Sequence, residues 1–523
     1  MTRAPIAVVR TLATLTILGV SILVLQGPSA SPHKEGIISS HNATPQRTPI
    51  HAHDKRGESG APSTQVTAEQ KKIGYQTVTV EHTNHALAHN NAIPDWLNGT
   101  FYCNGPARFE VGQHAFDKWF NGFAMVHAIT IANKEVTYSN KFIAGTYHAQ
   151  AIKTGKLPAS TQEKSSSFFS KMSSFMSTRP PYDNANVNVI TLNKQIIACT
   201  ETPHAFVIDP RTADTQCPFK YADSVESHVC TPHPITDPDT KEHINAMITF
   251  GKTSSYGVYT IAPNSSTRTV LATVNTDTPA YLHSFAATKK HIILIAQPLR
   301  TTGMELAFST KPFLQNFSWY NQKVELIVID RATKKQTIIP VDPFFFFHTV
   351  NAYENQANTI IDLITYTDAT VLDNMKLSYL RTNVCSKPGT LSRITIDAAK
   401  QTASIKNLTA QQMETPKINE LYRMKPYQWL YAVSADDSTL LKYSVTKNEM
   451  VHWHAHGCFV NEPTFVPKPN ASREDDGVVL SMLLDTHKKH SALLILDGIT
   501  FKEITRIPLP HCVPFGFHST FIA

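Results

Sequence analysis

Four of the 24 histidines in this 523-residue chain stand in settings that a solvated imidazole does not need. His233 lies in Cys230-Thr231-Pro232-His233-Pro234, and His283 lies in the apolar run Tyr281-Leu282-His283-Ser284-Phe285. His348 follows Phe344-Phe345-Phe346-Phe347, and His518 closes Pro514-Phe515-Gly516-Phe517 near the C-terminus. A histidine at the end of an apolar strand must have its ring nitrogens satisfied. Metal coordination is one of the few arrangements that does so for several at once. Taken singly, each residue reads as a buried histidine bonded to a backbone carbonyl. A further run, Val451-His452-Trp453-His454-Ala455-His456, alternates so that on a strand all three imidazoles would share one face. With no carboxylate or cysteine inside it, the run reads as a polar strand face before it reads as a surface metal site.

The elements that must carry these residues are strands. From about Ile73 onward, short apolar or alternating runs recur between turn signals, and amphipathic helical windows are few. Examples are His243 to Phe250, Gly257 to Ile261, His291 to Ala296, Thr359 to Tyr366 and Val478 to Leu484. The fold class is all-β. Two aromatic stretches, residues 164–181 and 313–320, suit contact with a membrane surface, or equally loops folded onto the core.

Composition narrows the functions. With 41% hydrophobic and 17% charged residues the chain is neither disordered nor collagen-like. The net charge of +7 is not gathered into a basic stripe, which argues against nucleic acid as a partner. Seven scattered cysteines without a CxxC pair imply neither a disulfide framework nor a thiolate zinc site. No glycine-rich phosphate loop or GxSxG elbow is present. Arg3 and Arg10 precede an apolar run from Thr11 to Leu25, followed by small residues, so residues 1–30 read as a signal peptide or N-terminal anchor. Residues 31–72 read as a flexible tail ahead of the all-β body, 73–523, whose domain count composition leaves open. The expected localisation is export, periplasmic or secretory, or membrane association through that N-terminal hydrophobic segment.

Together the four histidine motifs, in order, resemble those of the carotenoid cleavage oxygenases. The likeness runs from about Leu97 to the C-terminus and includes Leu97-Asn98-Gly99-Thr100, Asn104-Gly105-Pro106 and Phe120-Asn121-Gly122-Phe123. It is nearest in flavour to the animal-type carotene oxygenases and retinoid isomerase, from Ala198-Cys199-Thr200-Glu201-Thr202 and Glu474-Asp475-Asp476-Gly477. The resemblance implies a seven-bladed β-propeller with a loop and short-helix cap over the metal-bearing face. His233, His283, His348 and His518 would hold one Fe(2+), and Glu201, Glu414 and Glu462 would orient three of those rings. Thr200 would narrow an open coordination position with its methyl group. These seven positions lie 32 to 66 residues apart, most intervals near the length of a four-stranded blade. The implied activity is cleavage of an alkene bond of a carotenoid or apocarotenoid by dioxygen into two carbonyl products. The alternatives are a retinoid isomerase-type reaction without net use of oxygen, and a polyene-binding propeller without catalysis. Tyr102-Cys103 and Asn121 depart from the family's usual Arg and Asp, and leave substrate choice open.

Overall fold

The computed structural model describes residues 66–157, 182–309, 311–385 and 389–523. Antiparallel sheets dominate, and the helices are short, none longer than the nine residues of Thr146–Thr154 among those described. Successive chain segments form successive antiparallel sheets, in most of which consecutive strands pair as hairpins. Tight turns make this register. Asn133-Lys134 joins Phe123–Ala132 to Glu135–Phe142, and Asn193-Lys194 joins Asn188–Leu192 to Gln195–Cys199. All four turn residues have φ between 48° and 68°, the conformation that matches the twist of a two-residue hairpin.

The first sheet mixes both ends of the chain: the C-terminal strand His518–Ile522 pairs with Gly99–Arg108, setting His518 opposite Asn104. Four-stranded and five-stranded sheets follow over residues 188–218, 229–276 and 286–341. A seven-stranded sheet spans Phe345–Asn355 to Glu449–His454. Its 16-residue strand Thr402–Lys417 changes partners, pairing first with Thr390–Asp397 and then, from Met413, with Trp429–Ser434. A last five-stranded sheet lies within residues 458–508.

Burial explains which strand goes where. Gly477–Asp485 is buried along its whole length and His291–Ala296 at all but its first residue, so both read as continuous apolar runs covered on two faces. Glu449–His454 and Gln336–Val341 sit at sheet edges and keep polar residues in solvent. Between neighbouring sheets lie separate apolar clusters. Val126, Val189 and Ile208 fill one such layer, Ile244, Val258 and Leu294 a second, and Val460, Leu483 and Leu440 a third. Another joins the last sheet to the first through Val478, Leu493, Phe101 and Ile129.

Localisation and the end of the expected tail need correction. The N-terminal leader and most of the expected tail lie outside the described residues. Localisation by a membrane-associated or exporting N-terminal segment does not stand: no helix among the described residues is long and apolar enough to cross a membrane. The end of the expected tail, Ala68–Lys72, is a capped helix whose Lys71 is fully buried 3.0 Å from Asp437, because the aliphatic stem packs inward and the ammonium meets a carboxylate there. The stretch 164–181 lies outside the described residues. In 313–320, Phe317 is buried while Trp319 and Tyr320 are each 37% exposed, so only part of that stretch faces solvent.

Candidate metal centre

Each candidate histidine is delivered by a different sheet, three of them from a position where the chain enters or leaves a strand. His233 lies between Val229–Cys230 and Ile235–Thr236, and His283 precedes Ala286–Ala287. His348 sits inside Phe345–Asn355, and His518 opens the C-terminal strand. Polar contacts lock these segments to one another. The Ser284 hydroxyl donates to the Phe347 carbonyl at 2.6 Å, and the Thr349 hydroxyl donates to the Phe285 carbonyl at 2.9 Å, tying the His283 and His348 segments together. The Asn188 amide donates to the Pro232 carbonyl at 2.9 Å beside His233, and the Ser519 hydroxyl donates to the Glu462 carbonyl at 3.0 Å beside His518.

The result is convergence. One nitrogen from each of His233, His283, His348 and His518 lies within 4.8 Å of the other three. His283 Nε2 is 3.0 Å from His233 Nε2 and 3.2 Å from His348 Nε2. On the far side of three rings stand carboxylates. His283 Nδ1 is 2.6 Å from Glu201 Oε1, His348 Nδ1 is 2.7 Å from Glu414 Oε2, and His518 Nδ1 is 2.8 Å from Glu462 Oε1. An ionised carboxylate only accepts, so each of these Nδ1 atoms carries the proton and donates it. Their Nε2 lone pairs therefore point at one another across about 3 Å.

Protonation does not relieve that crowding. Burial, reinforced by the other imidazoles and Lys417, holds His233 well below its ordinary pKa. Burial lowers His283 against the pull of Glu201, and lowers His518 to about 4 although Glu462 opposes it. Neutral imidazoles with converging lone pairs are stable together around a cation. The donor set therefore fits a divalent transition ion, and four neutral nitrogens alone do not choose between iron, copper, nickel and zinc.

The glutamates are themselves held. Glu201 Oε1 also accepts from the Tyr281 hydroxyl at 2.5 Å, and Glu414 accepts from the Tyr366 hydroxyl at 2.8 Å and the Thr415 N–H at 2.5 Å. Glu462 accepts the Ser519 N–H at 2.6 Å and lies 3.2 Å from Lys417 Nζ. Burial pushes the Glu462 carboxyl up, but Lys417, His518 and Ser519 outweigh it and hold it at about 2. Burial next to a glutamate drives both tyrosines well above their ordinary values, so they remain donors. Tyr281, Tyr366, Lys417 and Ser519 were not singled out from sequence. The available signal was that Tyr281 stands two residues before His283, on the same side of an extended run.

A cavity of about 810 Å³ reaches this centre. His283, His348 and His518 open onto it, as do Glu201, Glu414 and Thr200; His233 is not among its lining residues. Phe120, Phe313, Phe347, Tyr366 and Phe517 supply aromatic wall. Trp119 shares an apolar cluster with Met375, Leu377 and Leu380, and its backbone N–H donates to the Met375 carbonyl at 3.0 Å.

Comparison with known proteins adds relatives to this geometry. A family model described as retinal pigment epithelial membrane protein matches residues 75–523. The mouse beta,beta-carotene 15,15'-dioxygenase is 27% identical over 501 residues, covering 82% of this chain and 88% of that protein. The carotenoid isomerooxygenase of Galleria mellonella is 28% identical, covering 82% and 92%, and the Arabidopsis thaliana carotenoid cleavage dioxygenase 8 is 28% identical, covering 86% and 85%. Among solved structures, a point mutant of the Synechocystis apocarotenoid oxygenase superposes with a TM-score of 0.79 at 23% identity, over 87% of this chain and 99% of that one. Its cobalt-substituted form superposes at 0.77. These superpositions establish likeness of fold.

Proposed function

We propose that this chain, which belongs to the retinal pigment epithelial membrane protein family, is a non-haem iron(II) dioxygenase that splits an alkene bond of a carotenoid or apocarotenoid. One dioxygen is consumed per polyene, and each of the two carbonyl products receives one oxygen atom. The observation that carries this reading is the convergence of four imidazoles, three of them backed by carboxylates, at a cavity walled by aromatic rings. The names of the curated relatives, carotene and carotenoid oxygenases, support it.

His233, His283, His348 and His518 would hold the ferrous ion, and Glu201, Glu414 and Glu462 would fix the ring orientation and raise the basicity of three of them. The ion, when bound, would supply the redox chemistry with dioxygen that closed-shell side chains lack. The protein's own part is positioning. The aromatic walls hold an extended apolar chain and exclude water, and Thr200 places a small side chain on the cavity side of the ligand set. Tyr281 and Tyr366 keep the carboxylates in place as neutral donors.

The scaffold we infer is one catalytic domain, residues 73–523, built as a seven-bladed propeller capped by loops and short helices on the metal-bearing face. In support, the seven-stranded sheet divides at the long strand Thr402–Lys417 into two four-stranded halves that share it. Apolar layers also follow each other from sheet to sheet back to the first. The cavity's rim carries Phe313 and Leu314, and the neighbouring helix Gly303–Phe308 exposes Met304 and Phe308 at 68% and 77%. Such an apolar rim suits collection of a lipophilic substrate from a membrane surface.

Aerobic incubation with a panel of carotenoids and apocarotenoids, followed by mass analysis of the products, tests the activity. Cleavage yields paired carbonyl fragments carrying label from ¹⁸O₂. Rearrangement without oxygen uptake would instead assign a retinoid isomerase-type reaction, and bound pigment without turnover in iron-loaded protein would leave a binding protein.

A further inference from the structure

A second pair of histidines, remote in sequence from the four described, has the same nitrogen spacing. His456 Nδ1 lies 3.1 Å from His487 Nε2, compared with 3.0 and 3.2 Å between neighbouring ligand nitrogens of the buried centre. Their ring centroids are 5.1 Å apart with an interplanar angle of 9°. Two imidazole nitrogens bonded to one ion at about 2.0–2.1 Å lie roughly 2.9–3.4 Å apart for octahedral or tetrahedral angles, which brackets this separation.

The pair is held by backbone. The strand Glu449–His454 ends two residues before His456, so His456 leaves the alternation of His452 and His454 and turns toward the last sheet. Thr486 donates both its N–H, at 3.1 Å, and its hydroxyl, at 2.6 Å, to the Gly457 carbonyl, and Cys458 pairs with Asp485 across the adjoining strands. Gly457 has φ +67°, and a Cβ there would lie 2.2 Å from His487 Nε2, so the missing side chain makes the room this imidazole occupies. Asp485 accepts the N–H groups of His487 and Lys488 at 3.1 and 3.0 Å, which fixes the turn that carries His487, and Lys488 Nζ lies 4.0 Å from its Oδ2.

Both histidines are exposed. A hydrogen bond between two solvated neutral imidazoles competes with water and contributes little, and two protonated rings at this distance repel. We propose that His456 and His487 form a second metal site, at the surface, for a divalent transition ion that favours imidazole (zinc, nickel or copper), with water completing its coordination. Its occupation staples the strand Glu449–His454 to the sheet of residues 458–508.

The test is a calorimetric titration of the iron-loaded full chain with Zn²⁺ at neutral pH, run beside His456→Gln and His487→Gln, with iron release monitored in all three. The expected result is one zinc equivalent more in the wild type than in either variant, without matching iron release. The wild type's thermal midpoint rises with zinc, and the variants lack that increment. Identical isotherms and identical thermal shifts in the three proteins, or zinc uptake matched throughout by iron release, overturn the site. Neither residue touches the buried centre, so iron content is the same in all three proteins.

Discussion

Two buried groups of histidines in this molecule reach opposite solutions to the same problem. At the centre, His283, His348 and His518 each give a proton outward to a carboxylate and turn a lone pair inward. In the first sheet, His127, Tyr138 and His511 form a directed chain. His511 Nδ1 donates to the Cys512 carbonyl at 2.8 Å, which leaves its Nε2 to accept from the Tyr138 hydroxyl at 3.0 Å. That hydroxyl in turn accepts from His127 Nδ1 at 2.8 Å. No nitrogen in the relay opposes another lone pair. Burial alone therefore does not mark a candidate ligand: what distinguishes the centre is the carboxylate behind three of its four rings, which fixes their tautomer and leaves lone pairs that only a cation satisfies.

The sharpest way to break this contrast is His348→Ala. Loss of iron and of turnover together is the expected outcome, read by metal analysis and product assay; full iron and full turnover in the variant would refute the assignment. Glu414→Gln is next. It keeps the shape but not the charge, and iron affinity should fall by about 10–100-fold with the fold retained, measured by competition with a chelator.

Acidification of the metal-free protein separates the two groups further. His518 is lowered to about 4 and His127, mainly by burial, to about 3, against an ordinary value of 6.5. Below pH 6.5 the unfolded chain takes up protons that the native chain refuses, so stability falls as pH drops toward 4 and continues to fall toward 3 for His127. Denaturant unfolding from pH 7 to 4 should show this loss, and iron should add stability at pH 7 that acid removes at the centre only, since it binds the neutral rings. The smallest effect belongs to Tyr138→Phe. Removing a hydroxyl between buried His127 and half-buried His511 should cost about 1–3 kcal/mol in urea unfolding, with iron content and turnover unchanged. An equal loss of iron would erase the distinction drawn between the groups.

The strand runs and the four histidine motifs were readable in the chain itself. His291–Ala296 folds as the strand its apolar run predicts, and Thr359 to Tyr366 gains only Asn358. The positions of Glu414 and Glu462 came from motif likeness, since by composition each is an ordinary acid, yet both are buried. Tyr366 and Lys417 were not legible, because their role depends on which carboxylate they meet across the fold. The alternation of His452, His454 and His456 holds as a polar strand face for the first two and fails for His456. It assumed a strand that continues, and the chain instead turns at Gly457.

Local order along the chain, apolar runs broken by turn residues, was enough to determine strands and to place imidazoles where strands begin and end. Which nitrogens face a common point, which tyrosine or lysine steadies each carboxylate, and which exposed histidines meet are decided by contacts between residues tens to hundreds of positions apart. Those contacts arise only when separate sheets pack, because the free energy of each depends on what else is buried beside it.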